Sequence, residues 1–126
     1  MTDVKASIGN NKYKTTLQAG DLIAYADEPA DLGGTNTAMN PKELLAASLA
    51  SCTAITVRMY ANTKAWPLED VIVNVSIDTE TTPGKTVFKK DIELIGPLDD
   101  KQKERLLGVA SKCPVHKILT NSIEIN

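Results

Sequence analysis

The chain has 126 residues, enough for one domain with a modest core. Its 14 Lys and Arg nearly balance its 16 Asp and Glu, and the basic residues are scattered, so it carries no electrostatic footprint for nucleic acid. The longest apolar uncharged run, Leu44 to Val57, is shorter than the roughly 18 residues a membrane span needs.

The first third reads as strands. In "DVKASI", Val4, Ala6 and Ile8 alternate onto one face, and "GNN" at Gly9 to Asn11 is a turn signal because Gly and Asn tolerate positive φ. "KYKTTLQ", a second turn at "AGD" and then "LIAYAD" complete a three-stranded meander to about Asp27. "EPADLGGTNTAMN" has no periodicity and reads as a loop. Asn40-Pro41-Lys42-Glu43 is a helix start, with Asn40 as cap, Pro41 in the first turn and Glu43 at the capping-box position. That helix runs to about Asn62. "VIVNVSIDTE" and "TVFKKDIELIG" alternate as strands around a Pro83-Gly84 turn and predict a hairpin. Pro97 opens a second helix, Leu98 to Lys112, with its acids early and its bases later, as the helix dipole prefers. A short helix starts at Pro114, and "SIEI" is expected to close the chain as a strand. The pattern βββ-α-ββ-α-α-β is α+β, in a single domain over 1–126.

The central helix, "LLAASLASCTAITVRMYA", is apolar or small on nearly every face. Such a helix must be buried on all sides, and one sheet covers only one of them. Ala46, Ala47, Ser48, Ala50 and Ser51 would let a second helix approach closely. The expectation is a homodimer packed through this helix; the alternative is a monomer in which the second helix covers the rest.

The opening segment MTDVKASIGN has neither an apolar export core nor an Arg-rich amphipathic pattern, so the expected location is the cytoplasm. Thiols there stay mostly reduced, and the two cysteines, Cys52 and Cys113, are reactive or simply buried. There is no G-x-S-x-G elbow, no G-x-G-x-x-G and no Walker loop. Cys52, Cys113, His116 and a carboxylate make only a weak zinc pattern, so neither a metal nor a cofactor is assigned. Cys52 sits mid-helix among apolar residues, where desolvation raises a thiol pKa. Cys113 precedes Pro114 at a helix start, with Lys112, His116 and Lys117 nearby, which nominates it as the more acidic thiol. Arg58, six residues after Cys52, points about 240° around the helix, so any cation for Cys52 must come from another element. His116 reads either as a structural histidine or as a proton donor.

"NPKELLAASLASCTAITVRMYA", "WPLEDVIVNV" and "KCPVHKIL" together resemble the OsmC/Ohr family, from about Gly33 to the end of the chain. The resemblance implies antiparallel sheets around a long buried central helix in an intertwined homodimer, with active sites at the subunit interface. It implies thiol-dependent reduction of organic hydroperoxides in oxidative stress defence. Cys52 matches the peroxidatic cysteine and Cys113 the resolving one, so that a Cys52 sulfenic acid would condense with Cys113 to a disulfide. A dithiol such as a lipoyl group would restore both. Glu43 is the candidate activating acid. The family's Glu stands ten residues before the first Cys, and Lys42 occupies that position here. The family also holds its thiolate with an Arg on the N-terminal strands, whereas the first Arg here is Arg58; Lys12 and Lys14 are the cations available in that region. The alternative reading is a redox-sensing or small-ligand-binding protein that keeps the fold and the thiols without efficient turnover.

Overall fold

The computed structural model describes residues 1–126. The chain forms two compact units, Met1–Leu45 and Ala46–Asn126.

The first unit carries the expected meander. Strands β1 (Lys5–Ser7), β2 (Thr15–Ala19) and β3 (Leu22–Ala26) pair antiparallel in the order β1-β2-β3. Leu17 stands opposite Ala6 on one side and Ala24 on the other. The following loop is tied down more firmly than its composition predicts. Asp27, 2% exposed, accepts from the Glu28 amide at 2.8 Å, the Thr37 amide at 3.2 Å and the Thr37 hydroxyl at 3.1 Å, and also from the Thr35 amide and hydroxyl. Its own amide donates to the Met39 carbonyl at 3.1 Å. Gly34 is required here, because a Cβ would fall 2.0 Å from the Glu28 carbonyl oxygen.

Helix α1 (Pro41–Lys64) starts as its sequence dictates. The Glu43 amide donates to Asn40 Oδ1 at 2.8 Å and the Asn40 amide to Glu43 Oε1 at 3.0 Å, which closes a capping box. By length and composition alone α1 could cross a membrane. In this fold it is instead the core helix of the second unit. Its buried stripe is Leu49, Thr53, Val57 and Ala61, and Val57 and Ala61 pack with Leu68, Leu98, Leu106 and Ala110.

The expected hairpin is present as β4 (Asp70–Asp78) and β5 (Val87–Ile95), paired antiparallel with Val75 opposite Lys90. Helix α2 (Asp100–Val109) begins later than Pro97, because Asp99 closes its own capping box with Gln102. A 3-10 turn, Ala110–Lys112, leads into α3 (Pro114–Thr120).

Two further expectations differ from the structure. Ser122–Ile125 is not a strand; the segment pairs with neither sheet, so its backbone has no lateral partner to hold it extended. The all-round burial expected of α1 is not reached within one chain, since Ile55 is 54% and Met59 65% exposed. The chemistry-bearing stretch of α1, β5 and α3 all belong to the second unit.

Candidate functional site

The two cysteines, far apart in sequence, meet in space. Cys52 is partly exposed on α1; Cys113 is fully buried just before α3, and both are free thiols. The two thiols are close enough for each to shift the other's titration. The Val115 amide donates to Cys52 Sγ at 3.5 Å and the His116 amide to Cys113 Sγ at 3.2 Å. The local cause is the Cys-Pro pair. Pro114 fixes the first turn of α3, and Cys113, extended at ψ 141°, caps that turn with its sulfur.

The environments of the two thiols differ. Burial pushes the Cys52 thiol up, the Val115 amide offsets part of this, and proximity to Cys113 raises it further. Burial also works against the Cys113 thiolate, but the His116 amide, the Cys52 thiol, the Thr53 hydroxyl and the Lys90 ammonium outweigh it. The net effect is a lowered Cys113 pKa. When the pair loses one proton, the negative charge therefore favours Cys113 and the remaining proton Cys52.

A cation does reach the pair, from a residue that sequence reasoning missed. Lys90 Nζ lies 3.0 Å from Thr53 Oγ1, 3.2 Å from the Ala110 carbonyl oxygen and 3.3 Å from His116 Nδ1. Thr53 Oγ1 is in turn 3.7 Å from Cys113 Sγ. The available signal was strand phase. Phe88, Lys90, Ile92 and Leu94 share the less exposed face of β5, so a lysine occupies an apolar register. Lys90 and His116 also wall a cavity of about 360 Å³, whose apolar lining includes Leu49, Val87, Phe88 and Leu119.

The other candidates have separate engagements. Arg58 donates to the Leu68 carbonyl at 2.7 Å. Glu43 spends one carboxylate oxygen on the capping box. In the first unit, Lys14 Nζ sits 4.8 Å from the centre of the Tyr25 ring.

The sequence model of the OsmC family, described as OsmC-like protein, matches residues 34–126. The chain belongs to that family. An organic hydroperoxide resistance protein OsmC from Legionella pneumophila is 30% identical, with 98% of this chain and 92% of that one covered at a TM-score of 0.63. An OsmC-like protein from Mycoplasma pneumoniae is 21% identical over 96% of this chain and 88% of that one, at a TM-score of 0.78. The organic hydroperoxide resistance protein OhrB of Bacillus subtilis is 22% identical over 98% and 93% of the two chains, at a TM-score of 0.65. The last two likenesses show the fold alone. No curated protein sequence matches the chain. The mixed α+β architecture, with small antiparallel sheets and helices, is that of the OsmC/Ohr folds.

Proposed function

We propose that this OsmC-like protein is a thiol-dependent peroxidase that reduces organic hydroperoxides as part of oxidative stress defence in the cytoplasm. The observation that carries the reading is the meeting of its only two cysteines, both free thiols whose sulfurs accept from the consecutive Val115 and His116 amides. The Cys52 sulfur attacks the terminal oxygen of the peroxide, the O–O bond breaks, and an alcohol leaves. Cys52 becomes a sulfenic acid. Cys113 then forms the S–S bond as the S–O bond breaks and water leaves, and a dithiol such as a lipoyl group reduces the disulfide by exchange. The apolar cavity walled by Lys90 and His116 suits the organic part of such a substrate.

The functional unit in this proposal is a homodimer, with the whole chain acting as a single domain. Ile55 and Met59 leave an apolar face of α1 uncovered within one chain, and a second copy of that helix would cover it.

One observation favours a second reading, a redox-sensing or ligand-binding protein. Burial raises the pKa of the proposed nucleophile, Cys52, and no arginine donates to it. A turnover assay separates the two. Reduced protein is mixed with excess cumene hydroperoxide and dithiothreitol, alongside Cys52→Ser and Cys113→Ser. Multiple turnovers by the wild type that vanish in Cys52→Ser support the peroxidase. Peroxide loss no faster than in Cys52→Ser rejects it and leaves the second reading.

A further inference from the structure

Lys90 poses a charge problem that its hydrogen bonds leave unsolved. Its ammonium group is partly buried on the inward face of β5, and its three partners are a hydroxyl, a backbone carbonyl and an imidazole nitrogen. None is a carboxylate. A cation withdrawn from water among neutral acceptors is stabilised when an anion stands close by. The group on its far side is Cys113, reached through Thr53, and both are fully buried. The titratable or charged groups facing Cys113 are Cys52 from α1, Lys90 from β5 and His116 from α3. Lys112, in the turn before it, is exposed.

Thr53 is built to pass the charge on. Its hydroxyl accepts from Lys90 Nζ at 3.0 Å, and its single proton has two acceptors, the Leu49 carbonyl oxygen at 2.8 Å and Cys113 Sγ at 3.7 Å. A thiolate at Cys113 draws that proton toward sulfur, whereas a neutral thiol leaves it on Leu49.

From this geometry we infer that Lys90 is a positioning residue that places the negative charge of the thiol pair on Cys113, so that Cys113 is the proton acceptor for Cys52. The inference deepens the peroxidase reading and rests on it only for the reaction steps. In those steps the Cys52 proton moves to the Cys113 sulfur as the Cys52 sulfur attacks the peroxide. The O–O bond breaks, and the alkoxide takes the proton from the Cys113 thiol and leaves as the alcohol. The Cys113 thiolate so restored attacks the sulfur of the Cys52 sulfenic acid; the S–S bond forms, the S–O bond breaks, and hydroxide leaves to solvent. Two electrons pass from the thiol pair to the peroxide. The arrangement brings a cation to the second cysteine and leaves the first to be deprotonated by its neighbour.

The test needs no peroxide. In a Cys52→Ser background, the ultraviolet absorbance of the Cys113 thiolate is followed against pH, with and without Lys90→Met, Lys90→Gln and Lys90→Arg. Thermal melts confirm that each variant is folded. Loss of the ammonium is expected to lower the thiolate fraction at neutral pH about five- to tenfold, and Lys90→Arg to restore most of it. Thr53→Val gives a second approach should the Lys90 variants fail to fold, and is expected to shift the titration the same way. In Cys113→Ser, the Cys52 titration should start high and move little when Lys90 is changed. A Cys113 titration unmoved by Lys90→Gln or Thr53→Val in folded protein overturns the inference. So does a Cys52 thiol that proves the more acidic of the two. A protein without peroxidase turnover whose Cys113 titration still follows Lys90 would refute the reaction and leave the charge placement standing.

Discussion

The Val115 amide points at the Cys52 sulfur from 3.5 Å, so the first turn of α3 supplies a hydrogen bond to a thiol on α1. One residue later, the His116 amide serves Cys113 in the same way at 3.2 Å. Consecutive amides thus hold both sulfurs in one place. This predicts closure of a disulfide within the chain. One equivalent of organic hydroperoxide should remove both free thiols in a thiol-counting assay, with no covalent dimer on a non-reducing gel. Loss of one thiol only, or cross-linked chains, would contradict the juxtaposition.

Glu43 is open to a separation of roles. Its capping-box carboxylate accepts from the Asn40 amide, a contact Gln can reproduce. Glu43→Gln should therefore melt close to the wild type, while Glu43→Ala should lose about 1 kcal/mol in denaturant titration. If the negative charge also serves catalysis, Glu43→Gln will turn over more slowly at unchanged stability. Equal turnover would confine Glu43 to capping.

Asp27 organises the loop after β3, and the Thr35 hydroxyl is the chief cause of a carboxyl pKa held well below the usual range. A carboxylate depressed on folding contributes stability above its unfolded pKa and loses it as pH falls through the folded value. Asp27→Asn should lower the melting temperature at neutral pH by several degrees. The gap to the wild type should narrow as the solution becomes strongly acidic. A gap that is constant with pH would mean that packing, not charge, holds the loop.

Leu106 is fully buried between α1 and the Leu98 side of the core. Leu106→Ala should cost about 2–5 kcal/mol by chemical denaturation, through lost burial and the cavity left behind. A loss below about 1 kcal/mol would show that the neighbouring side chains collapse into the space.

Ile55 and Met59 protrude from α1 in an otherwise apolar stretch. Replacing both with Asp should convert the proposed dimer to monomer in light scattering, with little change in helix content, because each is more than half exposed in its own chain. A wild type that is itself monomeric would remove the dimer proposal.

Much of this was legible in the sequence because the signals are local. The meander shows in period-two alternation and Gly or Asn turns, and the start of α1 in Asn40, Pro41 and Glu43. The Cys113 environment was legible too, since Pro114 marks a helix start whatever lies around it. Lys90 was not, because its importance comes from a long-range contact; only its phase between Phe88 and Ile92 hinted at it. The loop from Glu28 to Met39 looked structureless because its order comes from one upstream carboxylate rather than from a period. Ser122 to Ile125 has the composition of a strand, but alternation cannot supply a neighbour to pair with.

The buried stripe of α1 advances four residues at a time, Leu49, Thr53, Val57, Ala61, while the helix turns every 3.6. Each step therefore swings the stripe about 40° around the axis, and neighbouring residues diverge by about 100°. Cys52 and Thr53 are consecutive in the chain yet lie in different solvents, one at the edge of water and the other in the dry interior. A single rung of helix thus carries the site across the protein's own phase boundary, with the reactive sulfur on the wet side and the hydroxyl beside its partner sulfur on the dry side.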